Sequence, residues 1–389
     1  MKDLILSKEE LLRYSRHIII PEFGLEGQQK LKTSSVLVVG TGGLGSPLLL
    51  YLVAAGVGKI GIMDFDNLDE TNLQRQVLFN KDDVGRPKAE VAKEKLQKLN
   101  QHIELIAYNE QLTSANALEI IKGYDVVADG TDNFPTRYLV NDACVLLGKT
   151  NVYASIFRFE GQVSVFNFRH ANGEFGPNYR DLFPEPPPPG FVPNCAEGGV
   201  LGVLPGIIGS IQASEVIKVL TGVGDPLAGR LFLFDAQRFE TRTLKVKKSD
   251  SNPLTGTNPT ITALIDYEHF CGLDDPDSGG VHVDEITVHE LKSLLDSGSD
   301  VQLIDVREEF EFHIANLGPD SILIPLRSIG EEYYKIDQSR KVVMFCRSGA
   351  RSRNAILQLK NEFGYDNLVN LKGGILEWAR ENDPEMTLY

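Results

Sequence analysis

From residue 35 onward, apolar and polar positions follow one another in a repeating order. "SVLVVG" is a continuous apolar run, "LGSPLLLYLVAAG" has helical periodicity, and "KIGIMDFD" is a second apolar run. The helical "RPKAEVAKEKLQKLN", the strand-like "IELIAYNE", the helical "ANALEIIKG" and the apolar "DVVADGTD" continue the series. Strands alternating with helices in this way predict an α/β fold, a Rossmann-like doubly wound parallel sheet with right-handed crossovers. A ligand of such a sheet belongs at the carboxyl ends of its strands. After Thr150 the period shortens to two in "VYASIFRFEGQVSVFNF", which predicts that antiparallel strands finish the sheet. The Pro-rich "FPEPPPPGFVPN" is an exposed loop, followed by the helix "PGIIGSIQASEVIKVLTG" and the strand pair "RLFLFDAQRFETRTLKV".

From Ile286 a second α/β pattern begins, with "TVHELKSLLDSG", "SRNAILQLKNEFG" and "GILEWARE" as helices and "VQLIDVR", "KVVMFC" and "NLVNL" as strands. The expected division is a first domain over 1–250, a linker over 251–283 and a smaller second domain over 284–389. Within the linker, "ITALIDYEHFCG" is expected to pack on one of the domains. At the front, "SKEE" reads as a capping box of Ser7 with Glu10 opening a helix, which is not a signal-peptide layout.

Composition adds exclusions. With 39 basic and 54 acidic residues the net charge is −15, which disfavours nonspecific nucleic-acid and anionic-membrane partners. No apolar run reaches the roughly 18 residues needed to span a bilayer, and free thiols without a signal-peptide layout lead us to expect a cytoplasmic enzyme. Its four cysteines, Cys144, Cys195, Cys271 and Cys346, are spaced about fifty residues apart or more, too far for a CxxC clamp. Cys144, on an apolar helical face, reads as core.

Gly40, Gly42 and Gly45 in "GTGGLG" have the spacing of a phosphate-binding turn between strand and helix, and Asp64 ends the next strand, where it can accept ribose hydroxyls. This much does not separate NAD from ATP. Asn72, Arg75 and Lys88 follow on the same sheet edge and suit a triphosphate, each charge-assisted hydrogen bond being worth ~1.5–3 kcal/mol. Asp132, with Asn133, is placed to hold Mg²⁺ together with phosphate oxygens.

"YSRHI", "VVGTGGLGSP", "DFDNLDETNLQRQ", "GRPKAE", "GTDN" and "CAEGGVLG" resemble the molybdopterin-synthase and thiamine-synthesis adenylyltransferases, relatives of the ubiquitin-activating enzymes, over about residues 5–248. The resemblance implies that the C-terminal carboxylate of a ubiquitin-like sulfur carrier protein attacks the α-phosphate of MgATP. It implies further that Gly43, Asp64, Thr71, Asn72, Leu73, Gln74, Arg75 and Lys88 belong to the ATP site, with Asp132 and Asn133 holding metal and nucleotide. Arg16 resembles an arginine that reaches the partner subunit's phosphates, implying a homodimer, and Cys195 a thiol that takes the acyl group or resolves an acyl disulfide. Many relatives bind Zn²⁺ through two CxxC pairs. Here Asn178, Asp181, Asn252 and Thr255 lie near those positions, and amides and a hydroxyl do not replace four thiolates, so no zinc site is expected.

"CRSGARS" places Cys346 between an apolar run and a helix, with Arg347 and Arg351 adding charge to inward-facing amides. A cysteine phosphatase has five residues between Cys and Arg; four separate Cys346 from Arg351, which suits a sulfane sulfur. With "LIDVREEFEF" and "LVNLKGGILEWAR", residues 284–385 resemble a single-domain rhodanese, although "HIANLGPDSILIPL" departs from its usual Gly-His-Ile turn. Asp305 is expected to tie strand to loop, and Trp378 to lie in the core. Joined, the two resemblances imply adenylation followed by sulfur transfer from a Cys346 persulfide, charged by thiosulfate or by a cysteine desulfurase persulfide. The rival readings are an NAD-dependent oxidoreductase fused to a sulfurtransferase and a noncatalytic carrier-binding module.

Overall fold

The computed structural model describes residues 5–187, 198–272 and 283–387. The chain forms two compact units, Met1–Asp274 and Asp275–Tyr389.

In the first unit the alternation becomes β1 (Ser35–Val39), β2 (Lys59–Met63), β3 (Glu104–Tyr108), β4 (Val126–Asp129), β5 (Thr150–Phe157), β6 (Glu160–Phe166), β7 (Arg230–Asp235) and β8 (Glu240–Lys245). They form one sheet in the order β3-β2-β1-β4-β5-β6-β7-β8, parallel from β3 to β5 and antiparallel beyond. Successive side chains of a strand face opposite ways, so β1 feeds two cores. Val36 and Val38 pack with Leu48 and Leu52 of the helix Gly45–Ala55 and with Val216 of the helix Leu204–Thr221. Leu37 and Val39 pack on the other face with Tyr138 and Leu139 of the helix Phe134–Leu147. The sheet is doubly wound, and its order reverses between β1 and β4, the point at which such sheets bind ligands.

Ser7 and Glu10 form the expected capping box on the helix Lys8–Arg13. The first unit extends beyond the expected boundary, because residues 251–272, assigned to the linker, are anchored to it. The Tyr267 hydroxyl donates to Asp142 Oδ2 at 2.9 Å, and Ser114 Oγ donates to the Ile265 carbonyl at 2.6 Å. Asp142 is wholly buried and also takes Arg180 Nε and Nη2 at 2.8 and 2.7 Å, while that guanidinium lies 4.7 Å from the ring centres of Tyr138 and Phe270. A buried charge survives only when paired, and this one binds the segment to the body of the unit.

At the positions compared with zinc ligands, the side chains satisfy one another. Asn178 Nδ2 donates to Thr255 Oγ1 at 3.1 Å, Asn252 Nδ2 to Asn178 Oδ1 at 3.2 Å, and Asp181 accepts the amides of Asn178 and Ser249 at 2.7 and 2.8 Å. Hydrogen bonds tie the two stretches here.

The second unit has β9 (Glu285–Ile286), β10 (Val301–Asp305), β11 (Ser321–Leu323), β12 (Lys341–Phe345) and β13 (Leu368–Leu371), all parallel, in the order β11-β10-β12-β13-β9. The central β12 again divides its side chains, Val342 and Met344 to one core, Val343 and Phe345 to the other. Trp378 packs on the second of these.

Candidate active site

A cleft of about 220 Å³ opens at the switch point of the first sheet, between the ends of β1 and β4. Gly40 (φ +93°) turns the chain out of β1, and a Cβ there would come within 3.0 Å of the Gly130 carbonyl oxygen. Gly45 begins the helix Gly45–Ala55, and a Cβ on it would collide with the Gly40 carbonyl, so this glycine sets the approach of helix to turn. The helix has no side-chain cap; the Ser46 amide donates to the Gly42 carbonyl at 3.0 Å and Pro47 has no N–H, so a ligand would meet the amides of Gly45 and of the glycine turn before it. Asp64 holds the turn: its Oδ2 accepts from the amide and hydroxyl of Thr41 at 2.8 and 2.7 Å, and Oδ1 from the Asp66 amide at 3.0 Å.

Gly40, Gly42, Gly43, Asp64, Asn72, Arg75, Lys88, Asp132 and Asn133 all line this cleft. Lys88, its side chain 7% exposed, is held at 2.8 Å by the half-exposed Asp66, and Arg75 Nη1 donates to the Thr71 carbonyl at 3.2 Å. Asn133 caps the helix Phe134–Leu147 through the Thr136 amide at 2.9 Å, while Asp132 stays exposed beside it. Thr71, Leu73 and Gln74 stand apart from the lining. Thr71 donates to Asp69, Leu73 packs on the core, and Gln74 Nε2 reaches the Val200 carbonyl at 3.3 Å. Arg16 is exposed and also lies outside the lining, and Cys195 lies outside the described residues.

Sequence reasoning missed Gln76, Thr131 and Arg137. Arg137 is 9% exposed, donates through Nη2 to the Thr131 carbonyl at 3.0 Å and lies over the Phe134 and Tyr153 rings. Behind it, burial pushes the Asp129 carboxyl up, against the opposing pull of Arg137 and Thr131, with the charge of Asp132 adding to the rise. Arg137 lies one helical turn beyond Asn133, the only sign of its place that the sequence carries.

In the second unit, Cys346 follows β12 and is 1% exposed. Gly349 (φ +99°) turns its amide to Cys346 Sγ at 3.1 Å, and Ser352 Oγ stands 3.6 Å from the same sulfur. Two of the loop's carbonyls are engaged elsewhere. Those of Cys346 and Arg347 accept the amides of Ile375 and Leu376 at 2.9 and 3.1 Å, from the first turn of the helix Gly374–Asn382. Arg351 forks onto the buried Glu311, Nη1 to Oε2 at 2.6 Å and Nη2 to Oε1 at 2.7 Å, so the charge it was expected to lend the sulfur is shared with a carboxylate. Asp305 ties strand to loop as expected, accepting Arg307's amide and guanidinium; burial pushes its carboxyl up against Arg307's pull. At the departed turn, Arg307 Nη2 donates to the Ala315 carbonyl at 2.7 Å, and Asn316 Oδ1 accepts the Gly318 amide at 3.0 Å. Cys144 and Cys271 are buried, and burial pushes both thiols up, Cys271 to about 11, which suits core cysteines rather than nucleophiles.

Comparison with known proteins finds a family match in each unit. Residues 14–255 match the model of the ThiF family and residues 287–381 that of the rhodanese-like domain. Over 99% of its length the chain is 48% identical to a probable adenylyltransferase/sulfurtransferase MoeZ of Mycobacterium tuberculosis, covering 96% of that protein. It is 44% identical to the adenylyltransferase and sulfurtransferase MOCS3 of Aedes aegypti, with 99% and 90% of the two chains covered. A sulfur carrier protein adenylyltransferase of Thermus thermophilus is 56% identical over 69% of this chain and 98% of its own. Among solved structures, MccB of E. coli superposes with a TM-score of 0.57 at 22% identity, covering 65% of this chain and 75% of that one, a likeness of fold.

Proposed function

We propose a two-stage sulfuration for this chain, which belongs to the ThiF family and carries a rhodanese-like domain. It is an adenylyltransferase and sulfurtransferase. Its substrate is the C-terminal glycine of a ubiquitin-like sulfur carrier, of the kind that serves as molybdopterin synthase small subunit or as thiamine carrier. The observation that carries this reading is the convergence of an uncapped helix start, Arg75, Lys88 and Asp132 on one cleft at the switch point.

The carrier's carboxylate is ionised at neutral pH, so its attack on the α-phosphate of ATP needs no general base. What it needs is relief of charge repulsion between two anions, which Arg75, Lys88 and the amides of the glycine turn supply. Lys88 can exchange Asp66 for phosphate oxygens at little cost, because that carboxylate is half exposed and water takes it over. Asp132 and Asn133 are the residues that would hold Mg²⁺, whose charge offsets that of the phosphates. Arg16 of a second copy completes the phosphate site; in support, it lies outside its own chain's cleft, and Leu12, Ile19 and Tyr51 of the same unit are exposed.

The terminal sulfur of a Cys346 persulfide then attacks the acyl carbonyl, forming a carbon–sulfur bond as AMP departs. Thiolate attack by Cys195 on Cys346 Sγ releases the thiocarboxylate and leaves a Cys195–Cys346 disulfide, which a dithiol reductant reopens. The sulfane sulfur comes from thiosulfate or from a cysteine desulfurase persulfide. ATP–pyrophosphate exchange with purified carriers, followed by intact mass of the carrier, tests the scheme. Exchange dependent on one carrier and replacement of one oxygen by sulfur are expected; no exchange with any carrier sinks it.

A further inference from the structure

Ser352 has one hydroxyl proton and three acceptors around it. The residue is wholly buried, and its Oγ stands 2.7 Å from Asn370 Oδ1, 3.1 Å from the Gly349 carbonyl and 3.6 Å from Cys346 Sγ. Asn370 is itself 2% exposed, and its amide has a fixed sense, because Nδ2 donates at 3.0 Å to Glu285 Oε1. A carboxylate only accepts, so the amide cannot turn over, and its carbonyl oxygen faces Ser352 permanently. One proton cannot serve three acceptors, and what decides among them is charge. A hydrogen bond to an ionised acceptor is about twice as strong as one between neutral groups.

We propose that Ser352 is a catalytic residue of the sulfur half-reaction, with Asn370 as its positioning residue. The hydroxyl rests on Asn370 Oδ1 while Cys346 carries the sulfane sulfur, and swings to Sγ when that atom is left holding the electron pair. The inference rests on the reading of Cys346 as the sulfur carrier. The Gly349 amide is a fixed donor, whereas the Ser352 hydroxyl can answer a change of charge by rotating. Arg351 is bound to Glu311 and does not need to move.

Two half-reactions separate this role from a structural one. In loading, the Cys346 thiolate attacks the outer sulfur of thiosulfate, a sulfur–sulfur bond forms, and sulfite leaves with the electron pair. In discharge, cyanide attacks the sulfane sulfur, thiocyanate forms, and the electron pair of the broken sulfur–sulfur bond returns to Sγ. Charge gathers on Sγ in the second and leaves it in the first.

The test is single-turnover loading and discharge of the full-length protein with thiosulfate and cyanide. Ser352→Ala is expected to slow discharge about tenfold and to leave loading as fast as before or faster. Ser352→Thr restores discharge, and Asn370→Ala, which frees the hydroxyl, discharges at least as fast as the parent. Equal slowing of both half-reactions in Ser352→Ala, unchanged discharge, or an Asn370→Ala that discharges as slowly as Ser352→Ala overturns the proposal. Failure of the unaltered protein to gain sulfur on Cys346 would instead sink the sulfur-carrier reading itself.

Discussion

The glycine turn after β1 and the cysteine loop after β12 stand at corresponding places, each at the carboxyl end of an interior strand of a parallel sheet and each running into a helix. They handle charge in opposite ways. Around the glycine turn Asp64 and Arg137 are held by buried partners, but Lys88 is paired with a half-exposed carboxylate, Asp66, and Asp132 faces solvent. Around the cysteine, Arg351 is bound by a carboxylate only 5% exposed, and the Gly349 amide is already fixed on the sulfur. A site for a highly charged ligand keeps side chains free to be recruited, whereas a site for one sulfur atom is assembled in advance. Preorganisation suits the small, singly charged atom, because little new electrostatic energy is available to assemble the loop on demand.

Replacing the sulfur atom itself separates the two most sharply. Cys346→Ala is expected to abolish thiocarboxylate formation, read by intact mass of the carrier, with ATP–pyrophosphate exchange unchanged; loss of exchange would mean the sites are not separable. Lys88→Ala should do the reverse, lowering exchange about a hundredfold while thiosulfate-to-cyanide transfer keeps its rate. Glu311→Gln should destabilise the second unit by about 2 kcal/mol, read as a lower urea midpoint, since it removes the charge of Arg351's buried partner. An unchanged midpoint would show that the loop is not held by this pair. The smallest effect belongs to Asn178→Ala, which should cost the first unit about 1–2 kcal/mol for its lost hydrogen bonds to Thr255 and Asn252 and leave the second unit's transition in place.

Much of both sites could be read from the chain because it is local there. The glycine spacing, Asp64 at a strand end, and Cys346 before a helix are each set by a few consecutive residues, and the strand order then brings Asp132 alongside. What stayed hidden depends on long-range neighbours. Glu311 meets Arg351 across forty positions, and Asn370 meets Ser352 through the pairing of β13 with β12. Arg137 enters the cleft because its helix packs on β5, which no window of sequence contains. For residues 251–272 the sequence predicts packing on one of the domains but does not say which, because the partners are distant: Tyr267 meets Asp142 across 125 positions and Ile265 meets Ser114 across 151.

The first turn of the helix Gly374–Asn382 takes the carbonyls of Cys346 and Arg347, and a Cβ on Gly374 would come within 2.5 Å of the Cys346 carbonyl oxygen. This has a consequence during synthesis of the chain. Cys346 leaves the ribosome before Gly374, and until the helix Gly374–Asn382 emerges the carbonyls of Cys346 and Arg347 lack the amides that hold them. A nascent chain therefore carries its thiol unassembled while the 28 residues from Cys346 to Gly374 are added. The sulfur site matures last, after the nucleotide cleft has all of its strands.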